Sequence, residues 1–496
     1  MFDAYMDESI IALAYKWLVL VESGKRVLRT LESTGFRWGI DSLDALLGKA
    51  LIPGTSILLA GNPGAGKTTL AATICYANAS SGKPCLYFSF YEEEDRFVNQ
   101  MKRYGMDFEK LSREKLFQYV KLPLILDTDA LEAILESISQ YADEANAKVI
   151  VVDSFTPLGM ILGEEVKARE ILQNYFYTLA RTIEGIVVII AEIPYGYQRV
   201  EIGGVEFVTD IVLILKHVVI NRLISRILEI RKARGAPINI AELPFSIIDG
   251  RGIVVYAPPL IKEIPPPRRD ISYKLPCRVF EEALRSLHPG EVIYVEYPAD
   301  GRVRHLLVPV FLGLLVENNL RTLVISYHRS PKEIEEGYHL ALGVSEAHEL
   351  VKRALELTEI ITINPSAMSL EEIYSTELQV IQQRKPDVVL FERIEVPAYI
   401  HEYSGYEGLY YKYMRDELLL LRKQGVLTFR VSSYVNEDHY NKNASLSDVV
   451  LKTIKRIEGN KLDLLLYAWR TNAEPRLLTE RDLWACIKEI CAKQCK

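Results

Sequence analysis

No stretch of this 496-residue sequence approaches the roughly 18–20 consecutive apolar residues that a membrane-crossing helix needs, so no membrane span is expected. The longest apolar run near the start, Ile10 to Val21, is interrupted by Lys16. It has neither a basic segment before it nor a cleavage site after it, so it does not read as a signal peptide, and a cytoplasmic location is expected. Cysteine is scarce: Cys75, Cys85, Cys277, Cys486, Cys491 and Cys495 include no CxxC pair, which argues against a zinc knuckle. Cys491 and Cys495 stand one helical turn apart and are expected to be surface thiols on a terminal helix. An excess of positive charge is also missing, with 59 Lys and Arg against 66 Asp and Glu and a formal net charge of −7. That balance argues against a dedicated nucleic-acid binder, although it is compatible with a local basic groove.

What is present is apolar material in quantity, 49% of the residues, in a chain too long for one core. Cores stop growing at roughly 250–300 residues, so two large domains are expected. The proline run in Ile264-Pro-Pro-Pro-Arg-Arg269 cannot continue a helix or a sheet interior and marks a stiff connector. The expected division is an N-terminal amphipathic segment (1–33), a first domain (34–258), a linker (259–273) and a second domain (274–496). In the N-terminal segment Ile10, Leu13, Ala14, Trp17, Leu18 and Val21 share one helical face, suited to packing on its own domain or on a neighbouring subunit.

The two halves repeat one order of landmarks. Pro53-Gly54 is echoed by Pro289-Gly290, Leu86–Phe90 by Leu323–Tyr327, Val149–Asp153 by Val388–Glu392, and Asp210-Ile-Val-Leu213 by Asp448-Val-Val-Leu451. The offsets between matched landmarks stay within 235–239 residues, which points to a tandem duplication. In the first half, strands are expected at Ser56–Ala60, Leu86–Phe90, Val149–Asp153 and Ile186–Ala191. Helices are expected at Lys67–Ala79, Glu93–Tyr104, Ala130–Tyr141 and Val166–Thr182. Uniformly apolar strands alternating with helices make an α/β fold with a mostly parallel sheet buried on both faces. Beyond Asp210 the runs Ile211–Leu215, Ile227–Ile230 and Ile253–Tyr256 lack intervening helices and suit antiparallel or mixed strands at the sheet's edge.

Between the first strand and the first long helix, Gly61-Asn-Pro-Gly-Ala-Gly-Lys-Thr68 fits G-x-x-x-x-G-K-[ST] in full. Glycines let successive backbone N–H groups converge on phosphate oxygens, and the following helix points its positive end at the same charge. The expected ATP-binding residues are Gly61, Asn62, Pro63, Gly64, Ala65, Gly66, Lys67, Thr68 and Thr69. Lys67 would reach the β- and γ-phosphates and Thr68 would offer its hydroxyl to Mg2+. Asp153, at the tip of an apolar strand, is the second expected Mg2+ ligand, acting through water. Glu92 and Glu93 follow another strand tip, where one of them could orient the attacking water. The same Glu92–Asp95 run also suits the first turn of a helix.

Taken together, these motifs resemble the KaiC-like branch of the RecA-superfamily ATPases, which has many archaeal members. The resemblance covers roughly residues 34–258. It rests on Thr34-Gly35, Gly39-Ile-Asp-Ser-Leu-Asp44, the phosphate loop, Tyr91-Glu92-Glu93, Asp153-Ser154, Gly204–Asp210, Leu228–Gly235 and Pro244–Ile247. It implies two tandem RecA-like domains in a homo-oligomer, a hexameric ring with nucleotide at the subunit interfaces. It further implies that Glu92 and Glu93 prepare the hydrolytic water and that Lys232 and Arg234 reach a neighbouring subunit's γ-phosphate. Cations supplied in trans would neutralise charge developing on the transferred phosphoryl group.

The second half departs from this pattern. Arg302 and Val303 replace the lysine and the hydroxyl, Glu296 is matched to the first glycine, and Arg329 and Ser330 replace the paired glutamates. Arg470 and Asn472 are matched to the trans pair, while Glu392 keeps a carboxylate at the metal position. This domain is therefore expected to be a catalytically inactive copy serving assembly, regulation or an unidentified regulatory protein partner, and no clear Ser/Thr pair supports autokinase activity. The Tyr399–Tyr413 stretch is expected to be packed or to contact protein, because acidic residues outnumber basic ones there. The rival reading is a RadA-like DNA-binding ATPase of recombination or repair. Its pore loop, 195–204, would carry one Arg and one Glu, weak support for nucleic acid.

Overall fold

Alternation of short β-branched runs with helical stretches produces two α/β bodies. A computed structural model of the protein describes residues 35–123, 128–155, 175–193, 209–220, 222–257, 261, 263–300, 304–342, 348–401, 408–458 and 461–494. The N-terminal segment, the 195–204 loop, Arg302, Val303 and Cys495 lie outside the described residues, as does most of the helix expected at Val166–Thr182. By contact, one compact unit takes the chain up to Leu215 together with Glu229–Ala241 and Ile247–Ile253; the other takes Lys216–Leu228, Glu242–Ser246 and the chain from Val254 onward.

The first sheet contains β1 (Thr55–Gly61), β2 (Cys85–Ser89), β3 (Phe117–Lys121), β4 (Val149–Asp153), β5 (Ile186–Glu192), β6 (Ile211–Ile220), β7 (Leu223–Ala233), β8 (Glu242–Ile248) and β9 (Gly252–Val255). Their order is β3-β2-β4-β5-β1-β6-β7-β8-β9. β1 lies between β5 and β6, parallel to both. Every residue of β1 and β2 is buried, as both-face coverage requires. The helices are α1 (Asp41–Leu47), α2 (Lys67–Ala79), α3 (Glu94–Arg103), α4 (Phe108–Arg113), α5 (Thr128–Glu144) and α6 (Tyr177–Thr182). Small buried residues on α2, among them Ala71, Ala72 and Cys75, let it pack directly on β1, β2, β4 and β5. The expected set was incomplete: β3 and β8 were missed because exposed residues break their apolar runs, and α1 and α4 because six or seven residues carry little periodic signal.

The second sheet repeats the plan with β10 (Val292–Tyr297), β11 (Thr322–Ser326), β12 (Thr358–Thr362), β13 (Val388–Glu392), β14 (Leu427–Ser433), β15 (Val449–Glu458), β16 (Lys461–Arg470) and β17 (Arg476–Thr479). The order β12-β11-β13-β14-β10-β15-β16-β17 reproduces that of the first eight strands, and only β15–β16 and β16–β17 pair antiparallel. The duplication read from landmark spacing is therefore a duplication of topology. The helices are α7 (Arg278–Leu284), α8 (Arg304–Asn318), α9 (Pro331–Leu342), α10 (His348–Glu356), α11 (Leu370–Arg384), α12 (Glu395–Ile400), α13 (Leu409–Gln424), α14 (Glu437–Ser445) and α15 (Glu480–Gln494).

Two disulfides are present, one local and one long-range. Cys75 of α2 bonds Cys85 of β2, and Cys277, just before α7, bonds Cys486 of α15 across a separation of 209 residues. Cysteine spacing had pointed to neither. Cys491 is a free, half-buried thiol on α15. The tyrosine-rich stretch is packed at its end, where Tyr410 donates to the Ile394 carbonyl at 3.1 Å and Tyr413 stacks on Tyr374 at 5.2 Å, whereas Tyr399 is exposed.

Candidate functional site

The phosphate loop leaves the C-terminal end of β1 and closes on the first turn of α2. Gly64 and Gly66 adopt φ of 76° and 105°, left-handed values that residues with a Cβ rarely take. A Cβ on Gly64 would meet nothing within 4 Å, so its side of the loop is open to a ligand. Gly61 is required for a different reason: a Cβ there would sit 2.2 Å from the Leu215 carbonyl of β6. Asn62 Nδ2 donates to the Ile193 carbonyl at 3.2 Å and ties the loop to the end of β5. Pro63 and Ala65 complete the turn, in which the Ala65 amide donates to the Asn62 carbonyl at 3.2 Å. Thr69 is buried in the first turn of α2.

Lys67 is buried, and its ammonium donates to the carbonyls of Gly61 (2.9 Å) and Asn62 (3.0 Å). Burial lowers its pKa, while Glu192 and Asp153 oppose that shift. Thr68 Oγ1 donates to Asp153 Oδ2 at 2.7 Å, and Tyr87 OH donates to the same oxygen at 2.8 Å. Burial raises the Asp153 pKa against the lowering effect of these hydrogen bonds, so the carboxylate sits where a cation would stabilise its charged form. A hydroxyl and a carboxylate this close form the oxygen donor set that Mg2+ prefers, and the residues fit a Mg2+–triphosphate.

Glu92 and Glu93 part company. The Glu92 amide donates to Ser89 Oγ at 3.1 Å, and its carbonyl accepts from Tyr119 OH at 2.8 Å. Its carboxylate lies 3.4 Å from Arg96 and its side chain is 24% exposed. Desolvation raises the Glu92 pKa, Arg96 lowers it, and Asp153 raises it further. Glu93 pairs with Lys121 at 3.0 Å with its side chain 75% exposed, and it precedes α3 as the N-cap residue. Of the two, Glu92 is the one enclosed with Asp153.

Lys232 is half-buried on β7. Arg234 lies 3.2 Å from Asp210, whose other oxygen accepts from the amide and hydroxyl of Ser56 at 3.0 and 2.9 Å. Ser56 is at the opposite end of β1 from the phosphate loop. Five strand steps separate it from Gly61, about 17 Å. The structure thus brings Lys67, Thr68, Asp153 and Glu92 together and sets Arg234 apart from them. Two residues escaped the sequence analysis. Tyr87 reads as ordinary strand core. Glu192, paired with Gly61 across β5–β1, could have been noticed as a carboxylate ending an apolar strand, as Asp153 does.

In the second body the backbone pairing corrects two matches. The amide of Ile193 donates to the Gly61 carbonyl, and that of Tyr434 to the Tyr297 carbonyl, so Tyr297 occupies the place of the first glycine, not Glu296. Glu296 lies one residue earlier and takes Lys452 at 3.4 Å and Tyr294 OH at 3.2 Å. Likewise the Arg234 amide donates to the Asp210 carbonyl as the Thr471 amide does to that of Asp448, so Trp469 and Thr471 stand for Lys232 and Arg234 in place of Arg470 and Asn472. Arg470 instead binds Glu291 at 2.6 Å. Glu392 does fall at the Asp153 position, since Phe90 and Tyr327 make the same backbone bond to these two residues. Arg329, at the Glu92 position, closes on Glu392 Oε1 through Nε (3.1 Å) and Nη2 (2.7 Å), and Ser326 Oγ donates to Oε2 at 2.7 Å. A guanidinium thus lies against the carboxylate that would otherwise face a metal.

A glycine-bearing loop from a central parallel strand into a helix, with a lysine, a threonine and a carboxylate at the tip of the next strand but one, defines a P-loop ATPase domain of RecA type. The family model "ATPase: KaiC" matches residues 36–259, and the domain belongs to that KaiC-like family. Related proteins include circadian clock protein KaiC3 of Synechocystis sp., 24% identical over 364 residues, 72% of this chain and 71% of that one. A UPF0273 protein of Pyrococcus furiosus is 27% identical over 239 residues, 45% of this chain and 94% of its own. The circadian clock oscillator protein KaiC of Synechococcus elongatus is 23% identical over 212 residues, 42% of this chain and 40% of its own.

Proposed function

We propose that the first domain binds and hydrolyses Mg2+–ATP in a homo-oligomeric ring, and that the second, having lost the chemistry, serves assembly or regulation. The observation that carries the reading is the convergence of Lys67, the Thr68–Asp153 pair and the open Gly64 turn on one strand end. In this scheme Lys67 and the loop amides of Gly61–Thr69 hold the β- and γ-phosphates. Thr68 and Asp153 hold Mg2+, which would supply charge neutralisation between the phosphates. Glu92, enclosed and raised in pKa, accepts a proton from the attacking water, and Glu93 supports it from the helix start. Lys232 and Arg234, remote from their own phosphate loop, are placed to serve the site of a neighbouring subunit. A hexamer is the assembly that the family resemblance implies.

The test is steady-state ATP hydrolysis by the full chain, wild type against Lys67→Ala. The variant should lose turnover to background; normal turnover would refute the site. Adding DNA separates the RadA-like alternative, which requires stimulation that falls steeply with salt. Bound ATP that never becomes ADP would instead indicate a nucleotide-holding scaffold.

A further inference from the structure

In the second body the backbone of α8 stands further from its sheet than that of α2, and the helix reaches the strands through side chains such as Phe311, which meets Phe429 edge-on at 5.0 Å. The main neighbours of α8 are α9, α10 and α15. A cavity of about 120 Å3 lies beside that contact, lined by Val295, Leu390, Phe429 and Leu451 of the strands and by Val308 and Phe311 of α8. The sheet itself registers the gap. Val295, Leu390, Phe429 and Leu451 retain 8, 8, 7 and 6% exposure, whereas Leu59, Val151, Val188 and Leu213, their counterparts by strand pairing under α2, are all at 0%. The cause lies in the side chains. Tyr297 fills the place of Gly61, and α8 offers Leu307, Val308, Phe311 and Leu314 where α2 carries Ala71, Ala72 and Cys75.

We infer that this cavity is a binding site for a small, uncharged, largely apolar molecule of about benzene size carrying one hydrogen-bonding group. The volume sets the size, because engineered apolar cavities of about 150 Å3 stay dry and take up benzene. The walls set the polarity. Among the described residues the only charged ones lining the cavity are Arg329 and Glu392, beyond the strand ends near Tyr297. They are already paired at 2.7 Å, so this end offers a neutral donor and acceptor and gives no net attraction to an anion or a cation. A hydroxyl suits that end, and a carboxylate would compete with Glu392 for Arg329. The inference is independent of ATP hydrolysis in the first domain.

The experiment titrates the full chain with phenol, 1-hexanol and hexanoate, read by isothermal calorimetry and by the melting temperature. Phenol and 1-hexanol should bind saturably and raise the melting temperature, and hexanoate should bind at least tenfold more weakly. Two filling variants, Leu451→Phe and Val308→Phe, should each weaken phenol binding at least tenfold while melting no lower than the wild type. No saturable binding by phenol or 1-hexanol overturns the inference, and so does binding left unchanged by both variants. Equal or tighter binding of hexanoate overturns the neutral-head assignment. If both variants melt lower or fail to fold, the space is already packed and the cavity is refuted.

Discussion

Replacing Arg329 by methionine isolates the interaction that stands where the first domain would bind a metal. Glu392 is 5% exposed and receives two N–H groups from Arg329 and one hydroxyl from Ser326. Without the guanidinium, the carboxylate loses both of those N–H donors while it stays buried. Removing one partner of a buried pair costs about 3–5 kcal/mol, whereas exchanging both for apolar groups of similar volume is often neutral. The Arg329 side chain keeps 17% exposure, so the lower end of that range applies, about 3 kcal/mol. For a body of this size that is a melting-temperature loss of about 6–12 °C. Arg329→Met/Glu392→Leu should stay within about 1 kcal/mol of wild type, a recovery of about 2 kcal/mol over Arg329→Met. Calorimetric unfolding of the wild type, both single variants and the double completes the cycle. A double variant no more stable than Arg329→Met would refute the claim that the cost is the stranded charge.

Arg234→Ala should leave nucleotide affinity within about threefold of wild type but cut hydrolysis by about 10³, the scale of an arginine supplied in trans. Mixing it with Lys67→Ala chains should restore turnover through composite sites, and activity that only falls in proportion to dilution would sink the trans model. His439 is buried and held neutral by burial and by Arg430, its pKa pushed down to about 4. Its contribution is present above the unfolded-state value near 6.5 and is lost as pH falls towards 4. Second-domain stability should therefore drop by about 3 kcal/mol across that window, and a His439→Gln chain should show a flatter profile in denaturant titrations. Replacing Cys277 and Cys486 by serine opens a loop spanning 209 residues and should lower second-domain stability by about 4 kcal/mol. Unchanged melting under reducing conditions would show that the bond does not form.

Local chemistry was legible in the sequence wherever a single pattern decided it. The helix at Lys67–Ala79 was read to the residue because the glycine loop fixes its start. The apolar strands were found because burial on both faces leaves no alternation to misread. The one-residue slip at Glu296 and at Arg470 has a physical origin. Matching by residue type favours charged residues, while strand position is set by hydrogen bonds, and a shift of one turns a side chain to the other face. The roles of Tyr87 and Glu192 and the Cys277–Cys486 bond depend on which elements become neighbours, which no local window contains. The cavity under α8 depends on a sum of side-chain volumes across four strands, and composition does not report where that sum falls short.

Tyr297 also bears on whether the second domain could regain what it lost. In the first sheet β1 and β6 stay paired through Gly61–Leu215, but β10 and β15 part after Glu296–Lys452, one pair sooner. A tyrosine cannot follow the glycine's path, since even a methyl group there would run into the neighbouring strand. A lysine restored after Tyr297 would thus not by itself rebuild the phosphate cradle. Revival would require a glycine at 297, a loop lysine followed by a hydroxyl, and removal of Arg329 at once, none of them useful alone. On the proposed reading of the second domain as inactive, no single substitution would restore its phosphate site.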